Sequence, residues 1–362
     1  MNKSVHKQLP NLDVLRAIAV LLVFISHVEL QKQELGMSNI RSTVMCFGGM
    51  GVTLFFVLSG FLISYLLVQE KTSKGEINIK KFYFRRILRI WPLYFAFLAF
   101  AIFVYPRGID STAIMLSVFF LSNIAFILEK LPSIVDPIWS LGVEEQFYLF
   151  HPHILRMKLL KNSFNTLIAV FLGLYVIKLA ASKLDWEMCS TIMYKARFDC
   201  MMLGGIFSLW IVNFQSGNKY FSTLISPKII FTKWFQIILY STFVAYLVLS
   251  TAIAKYYNDQ LMSIFAAFVI ANLALNPNCI VSLKNKALEY IGKISFGFYL
   301  LHRYPLKLAL EYGQIFEIDN PILFNIYAYV IPMFFSIIIA HISFYYYESY
   351  FLKLKDKKFS SN

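Results

Sequence analysis

Eleven apolar runs dominate the chain, at residues 12–30, 47–68, 91–106, 112–128, 138–155, 164–181, 198–214, 235–254, 262–277, 290–310 and 323–348. Each is roughly 16 to 26 residues long, the length a helix needs to cross about 30 Å of hydrocarbon. Within lipid, backbone N–H and C=O groups must be satisfied inside the segment, so isolated runs of this kind fold as helices. Helices of a soluble protein would show polar outer faces, and most of these segments lack them. The chain is 58% hydrophobic and 15% charged, against roughly half and a quarter in soluble domains. The predicted fold class is therefore an all-α polytopic membrane protein, with residues 1–362 forming one transmembrane domain.

The net charge of +14 does not point to nucleic acid, because it is concentrated in alternate loops. The connections 1–11, 69–90, 156–162, 215–234, 278–293 and 353–362 carry 22 Lys and Arg, and the remaining connections carry 8. Positive residues collect on the cytoplasmic side, which places both termini there. Two cytoplasmic termini require an even number of crossings, so one of the eleven runs must not span. Residues 112–128 are the expected exception: they follow a polar "PRGIDS" and carry Ser122 and Asn123 in mid-run. The expectation is about ten transmembrane helices plus one re-entrant or interfacial helix. The run after Lys3 and Lys7 has no cleavage site of the A-x-A kind. Cys46, Cys189, Cys200 and Cys279 show no spacing for zinc or an evident disulfide framework, and no metal is expected.

Polar residues inside the apolar runs carry the functional information. Residues 12–30 hold twelve Leu, Ile, Val or Phe, worth about 5 kcal/mol towards insertion, and a charge at the centre costs about 2.5–3.5 kcal/mol. Asp13 and Arg16 sit near the cytoplasmic end and are i,i+3 neighbours that can pair. His27 lies eleven residues beyond Arg16, about 16 Å further along the axis and on the same face. It reads either as a histidine hydrogen-bonded between helices or as a base reachable from both sides of the membrane. In "FFVLSGFLISYLL" (55–67), Ser59 and Gly60 permit close approach of a helix or of a substrate. In "KKFYFRRILRIWPLYF" (80–95), Arg86 and Arg89 share one helical face at a membrane entrance. Guanidinium forks bind phosphate bidentately, though lipid headgroups offer the same chemistry.

"DPIWSLGVEEQFYLFHP" (136–152) places Glu144 and Glu145 in an apolar setting, where acids are functional candidates by default. Adjacent residues cannot face the same way on a helix, so one faces a cavity while the other pairs elsewhere. Trp139, Ser140 and Tyr148 flank them. His151 and His153 are two apart, not the four that a helical zinc pair needs. "EYIGKISFGFYLLHRYPL" (289–306) sets His302 near the outer end of its run, as an interfacial, packed or site histidine.

Five stretches together resemble the acyltransferase 3 family of integral-membrane acyltransferases: "LDVLRAIAVLLVFISH", "FFVLSGFLIS", "FRRILRIWPLY", "IWSLGVEEQFYL" and "ISFGFYLLH". The resemblance covers nearly the whole chain in order. It implies a membrane-bound O-acyltransferase of the bacterial inner membrane, moving an acyl group, most often acetyl from acetyl-CoA, to hydroxyls of an envelope or exported glycan or lipid-linked saccharide. It further implies that Arg16 and His27 are the family's basic residue and histidine with ten positions between them, with His27 catalytic, and that Arg86 and Arg89 are its R-x-x-R, tied to the donor. The SGNH hydrolase-like domain of some members is not expected here, leaving the need for a separate extracytoplasmic partner open.

On this reading acyl-CoA phosphates rest on Arg86 and Arg89, assisted by Arg16, and the thioester reaches inward to His27, the general base. Glu144 or Glu145 fixes the His27 tautomer or lines the acceptor path. Asp13, Ser59, Trp139, Ser140, Tyr148 and His302 complete an acceptor or structural site. A proton-coupled transporter or flippase of an envelope precursor is the alternative, since buried Asp, Arg, His and Glu also suit a proton path. No inverted internal repeat supports it.

Overall fold

The computed structural model describes residue 9 and residues 11–104, 108–224, 226–252, 258–315 and 320–359. Lys3, Lys7 and Arg107 lie outside the described residues, as do parts of the runs 91–106 and 235–254 and the last three residues. Among the described residues every regular element is a helix. In order these are α1 (Leu12–Glu34), α2 (Arg41–Lys74), α3 (Ile79–Val104), α4 (Ser111–Val118), α5 (Ser122–Ile127), α6 (Ile138–Leu155), α7 (Leu160–Lys183), α8 (Glu187–Ala196), α9 (Phe198–Gln215), the single turn α10 (Lys219–Ser222), α11 (Lys233–Ala252), α12 (Asp259–Leu275), α13 (Lys286–Lys293), α14 (Ser295–Leu301), α15 (Arg303–Ile315), α16 (Pro321–Ile342), a π-helical stretch (Ser343–Glu348) and α17 (Ser349–Phe359).

Local chemistry sets several helix ends. The side chains of Asn258, Asn285 and Asn320 accept from amides two or three residues on, the capping that short polar side chains provide. Gly75 closes α2 with φ +81° and donates its N–H to the Lys71 carbonyl at 2.8 Å, a left-handed stop that favours glycine.

Two expected boundaries are corrected. The basic connection 69–90 is almost entirely helical, because α2 runs to Lys74 and α3 begins at Ile79. Lys, Arg, Leu and Ile propagate a helix readily, and the chain offers no breaker there except Gly75. Residues 290–310 are not one continuous span but parts of three helices, broken at Ile294 and His302. Pro305 has no N–H to return to the Leu301 carbonyl, which accounts for the break at His302. Residues 112–128 form helices of 8 and 6 residues joined through Phe120 at φ +57°. At about 12 Å and 9 Å neither crosses a bilayer.

Among the described residues, six helices are long and apolar enough to cross a membrane: Cys46–Lys74, Ile79–Val104, Leu160–Lys183, Phe198–Gln215, Lys233–Ala252 and Pro321–Leu354. The chain is a multi-pass membrane protein. The second helix is central, with 72% of its apolar window buried, whereas 22% is buried in α7 and α11 and 17% in the last helix. Those outer helices present Val176, Ile238, Val248, Val330 and Phe334 outward, as lipid-facing surfaces do.

Small residues bring the central helices together. A Cβ on Gly60 of α2 would lie 1.9 Å from the Met201 carbonyl oxygen of α9, and one on Gly204 of α9 would lie 2.1 Å from the Val57 carbonyl oxygen. Gly51 packs in the same manner on Ala19 and Val23 of α1. Lipid tails supply no hydrophobic drive between helices, so association rests on such close packing. Gly60→Ala is expected to push α2 from α9, at about 1–3 kcal/mol for overpacking. Thermal unfolding of the detergent-solubilised variant checks this, and an unchanged melting temperature would refute the spacing.

Candidate active site

A cavity of about 300 Å³ opens among α1, α2, α3, α6 and α14. Its lining on α2 runs from Leu66 to Val52, some 21 Å of helix. One end holds three guanidinium groups, Arg16 from α1 and Arg86 and Arg89 from α3. The i,i+3 spacing of the last two puts both on the cavity face of α3.

Glu144, Glu145 and Glu348 act on Arg86 and Arg89 electrostatically, but at longer range than a salt bridge. Arg16 pairs with Asp13 at 2.5 Å. Among the described residues, Arg86 and Arg89 form no salt bridge with a carboxylate. The Arg86 guanidinium sits 6.0 Å from the ring centres of both Phe82 and Tyr148, a cation–π arrangement. Its Nε is buried without a hydrogen-bond partner. An unmet buried charged donor is costly, so this end suits an anion brought by a ligand.

Glu144 lines the cavity and accepts from the Tyr148 hydroxyl at 3.1 Å. Tyr148 is hydrogen-bonded in turn to Ser59, also in the lining. Glu145 turns away and accepts from Trp91 Nε1 at 3.0 Å. Trp139 stands behind the wall, stacked on Phe126 at 5.4 Å and edge-on to Phe56 at 6.1 Å. The far end of the cavity is closed by Ser140 and Tyr299, whose hydroxyls are 2.8 Å apart.

His27 does not line this cavity and is half-buried. Its Nδ1 lies 2.8 Å from Nε2 of His302. His302 is fully buried, and its Nδ1 lies 2.7 Å from the Tyr299 carbonyl oxygen. Phe24 and Phe298 pack against the His302 ring. The contact of Gly51 with Val23 fixes the register of α2 on α1. The upper lining residue Val52 therefore falls about one turn, near 6 Å, short of His27. Tyr299 connects the two regions, since its hydroxyl forms the cavity wall and its carbonyl holds His302. Of the two roles expected for Glu144 or Glu145, the first is corrected: the partner of His27 Nδ1 is His302, at the break between α14 and α15, while Glu144 lines the cavity and Glu145 meets Trp91.

Several buried polar groups escaped the sequence reading. Arg303, with no exposed side-chain surface, pairs with Asp136 at 2.8 Å and donates to the Ser133 carbonyl at 2.7 Å. Lys32, counted above as a loop charge, is buried against Glu29 at 2.9 Å and Asn325 at 2.8 Å. Tyr329 also donates to Glu29, at 2.6 Å. Arg197, likewise counted with the loops, pairs with Asp259 at 3.3 Å. These partners are 60 to 300 residues apart except Glu29, so the sole available signal was a charge bordering an apolar run. His151 and His153 diverge, to Ser64 at 2.7 Å and to Tyr83 at 3.1 Å. Among the described residues no group of three or more His, Cys, Asp or Glu is arranged to hold a metal.

Residues 9–341 match the family model described as an acyltransferase domain. "Putative O-acetyltransferase SACOL0978" of Staphylococcus aureus (strain COL) is 29% identical, over 96% of this chain and 58% of that protein. "Peptidoglycan O-acetyltransferase OatA" of Listeria monocytogenes is 26% identical, over 98% of this chain and 59% of that protein. The chain thus spans somewhat under three fifths of the length of these curated relatives. No solved structure matches it. A family match over almost the whole chain, on a helical membrane bundle that carries the family's motifs, makes this chain a member of the acyltransferase 3 family.

Proposed function

We propose that the chain transfers an acyl group, acetyl first among candidates, from acyl-CoA to a hydroxyl of an envelope or exported glycan such as peptidoglycan. The observation that carries this reading is the cavity lined by Arg16, Arg86 and Arg89, where Arg86 and Arg89 form no salt bridge among the described residues and the buried Arg86 Nε has no partner. A nucleotide-tailed thioester supplies the missing anion at that end. Its phosphates take the forks of Arg86 and Arg89, with Arg16 alongside. This end is the cytoplasmic one by the loop charges, where acyl-CoA is available.

The narrower arm of the donor occupies the cavity along α2, past Ser59, Tyr148 and Glu144. Glu144 acts there on the donor side, orienting Tyr148 and, through it, Ser59. Asp13 holds Arg16 in place, Glu145 fixes Trp91, and Trp139 supports the wall. The Tyr299–Ser140 contact is the step that must be displaced before the thioester meets His27. His27 then takes the proton of the incoming hydroxyl as its oxygen attacks the thioester carbon. The C–S bond breaks, and the proton passes to the departing thiolate.

Acetyl-CoA should stabilise the solubilised protein, by about 2.7 kcal/mol at a hundredfold excess over its dissociation constant. Cells lacking the chain should lose ester-linked acyl groups from an envelope glycan. A transporter without donor chemistry would show neither, and absence of both effects overturns the proposal.

A further inference from the structure

We propose that His302 is a positioning residue that fixes the tautomer of His27, leaving Nε2 of His27 as the nitrogen that accepts the substrate proton. The inference deepens the reading of His27 as general base and rests on it.

It begins at Tyr299. A backbone carbonyl only accepts hydrogen bonds, and the Tyr299 oxygen lies 2.7 Å from His302 Nδ1. His302 Nδ1 therefore carries a hydrogen. In a neutral imidazole the other nitrogen is then an acceptor. His302 Nε2 is 2.8 Å from His27 Nδ1, and one hydrogen must lie between them. His27 Nδ1 supplies it, and His27 Nε2 keeps its lone pair.

The ring geometry supports this bond. The planes differ by 7° and the ring centres are 5.0 Å apart. The nitrogens are 2.8 Å apart, so the difference is about two ring radii. That is the relation of rings meeting edge to edge in one plane, not face to face. In-plane contact directs the lone pair of one nitrogen along the N–H of the other, as a linear hydrogen bond requires.

The opposite assignment needs a doubly protonated His302 that donates to His27. His302 is fully buried, and the next residue is the buried cation Arg303. The nearby carboxylate, Asp136, is already engaged by Arg303, whose Nη2 donates to Oδ2 at 2.8 Å and whose Nε reaches Oδ1 at 3.3 Å. A second buried cation there would have no counter-ion. Arg303 instead anchors the backbone at the helix break where His302 sits.

The arrangement follows the logic in which a catalytic base is oriented by a third group. Here the orienting group is a neutral imidazole backed by a carbonyl. No second proton can move, because the Tyr299 carbonyl cannot take one. The role of His302 is orientation and tautomer choice.

Two nearly isosteric replacements isolate that role. His302→Met removes the acceptor, whereas His302→Gln keeps a carbonyl able to take the His27 Nδ1 hydrogen. His302→Met should lower kcat about a hundredfold, within the range general-base catalysis contributes, with the KM for acyl-CoA unchanged. His302→Gln should recover most of that loss. Equal losses in the two variants, or wild-type kcat in His302→Met, overturn the proposal.

A measurement on the wild-type protein is independent of how those variants fold. The 15N-histidine NMR signals of His27, assigned by their loss in His27→Ala, should report the Nδ1-protonated tautomer. An Nε2-protonated His27 overturns the proposal. Wild-type activity in His27→Ala sinks the general-base reading itself. An inactive His27→Ala beside a fully active His302→Met sinks only the role of His302.

Discussion

Exchange of His27 for Ala lowers acyl transfer by about 10²–10⁴-fold, the contribution of a positioned general base, and leaves the protein in the membrane with acetyl-CoA still bound. The loss is chemical because His27 lies about 16 Å along α1 from Arg16 and outside the cavity lining. Truncating it leaves the arginine end untouched. The structural cost is confined to one neighbour: His302 Nε2 loses its partner, at about 1–3 kcal/mol for a buried unsatisfied group. That penalty reduces the melting temperature without abolishing folding. The check is paired: transfer assays on the purified variant, and its stabilisation by acetyl-CoA. Near wild-type transfer would remove His27 from the mechanism.

Replacement of Arg86 and Arg89 by Gln raises the concentration of acyl-CoA needed for half-maximal rate, leaving the dependence on acceptor unchanged. A hydrogen bond to a charged group contributes about 1.5–3 kcal/mol, so each arginine accounts for roughly 10- to 100-fold in donor affinity. The two are three residues apart on one helix face and share a ligand, so their effects will not add independently. The donor-free protein loses the cation–π contacts of Arg86 with Phe82 and Tyr148. Neither guanidinium is salt-bridged to a carboxylate among the described residues, and the Arg86 Nε is buried without a partner. An unchanged melting temperature of the donor-free variants ties weaker donor use to the site and not to unfolding. Full titrations of donor at saturating acceptor, and the reverse, make the test. An unchanged response to acyl-CoA would contradict a donor site at this end.

Much of the site was legible in local spacing. The spacing of three from Arg86 to Arg89 put both on one face, and both line the cavity. Adjacency forced Glu144 and Glu145 apart: one lines the cavity and the other meets Trp91. The interruption in 112–128 was visible in Ser122 and Asn123, and the segment folds as two short helices. The pairing of His27 with His302, across 275 positions, left no trace in either segment. Nor did the salt bridge of Asp136 with Arg303, or the burial of Lys32, which looks from its neighbours like an ordinary loop charge.

The division has a physical cause. A membrane helix satisfies its own backbone, so its existence, length and the residues sharing a face follow from hydrophobicity and the period of 3.6 read along one stretch. Which helices meet, and at what height, follows from no such local property. Lipid gives no hydrophobic force to select partners, and register is set where Gly51, Gly60 and Gly204 allow one backbone against another. The close contact of Gly292 with the Asp13 backbone sets the height on α1 of the segment leading to His302, and that of Gly51 with Val23 leaves the top of the cavity one turn below His27. A shift of a single residue between α1 and α14 would keep every local pattern of the chain and dissolve the histidine pair.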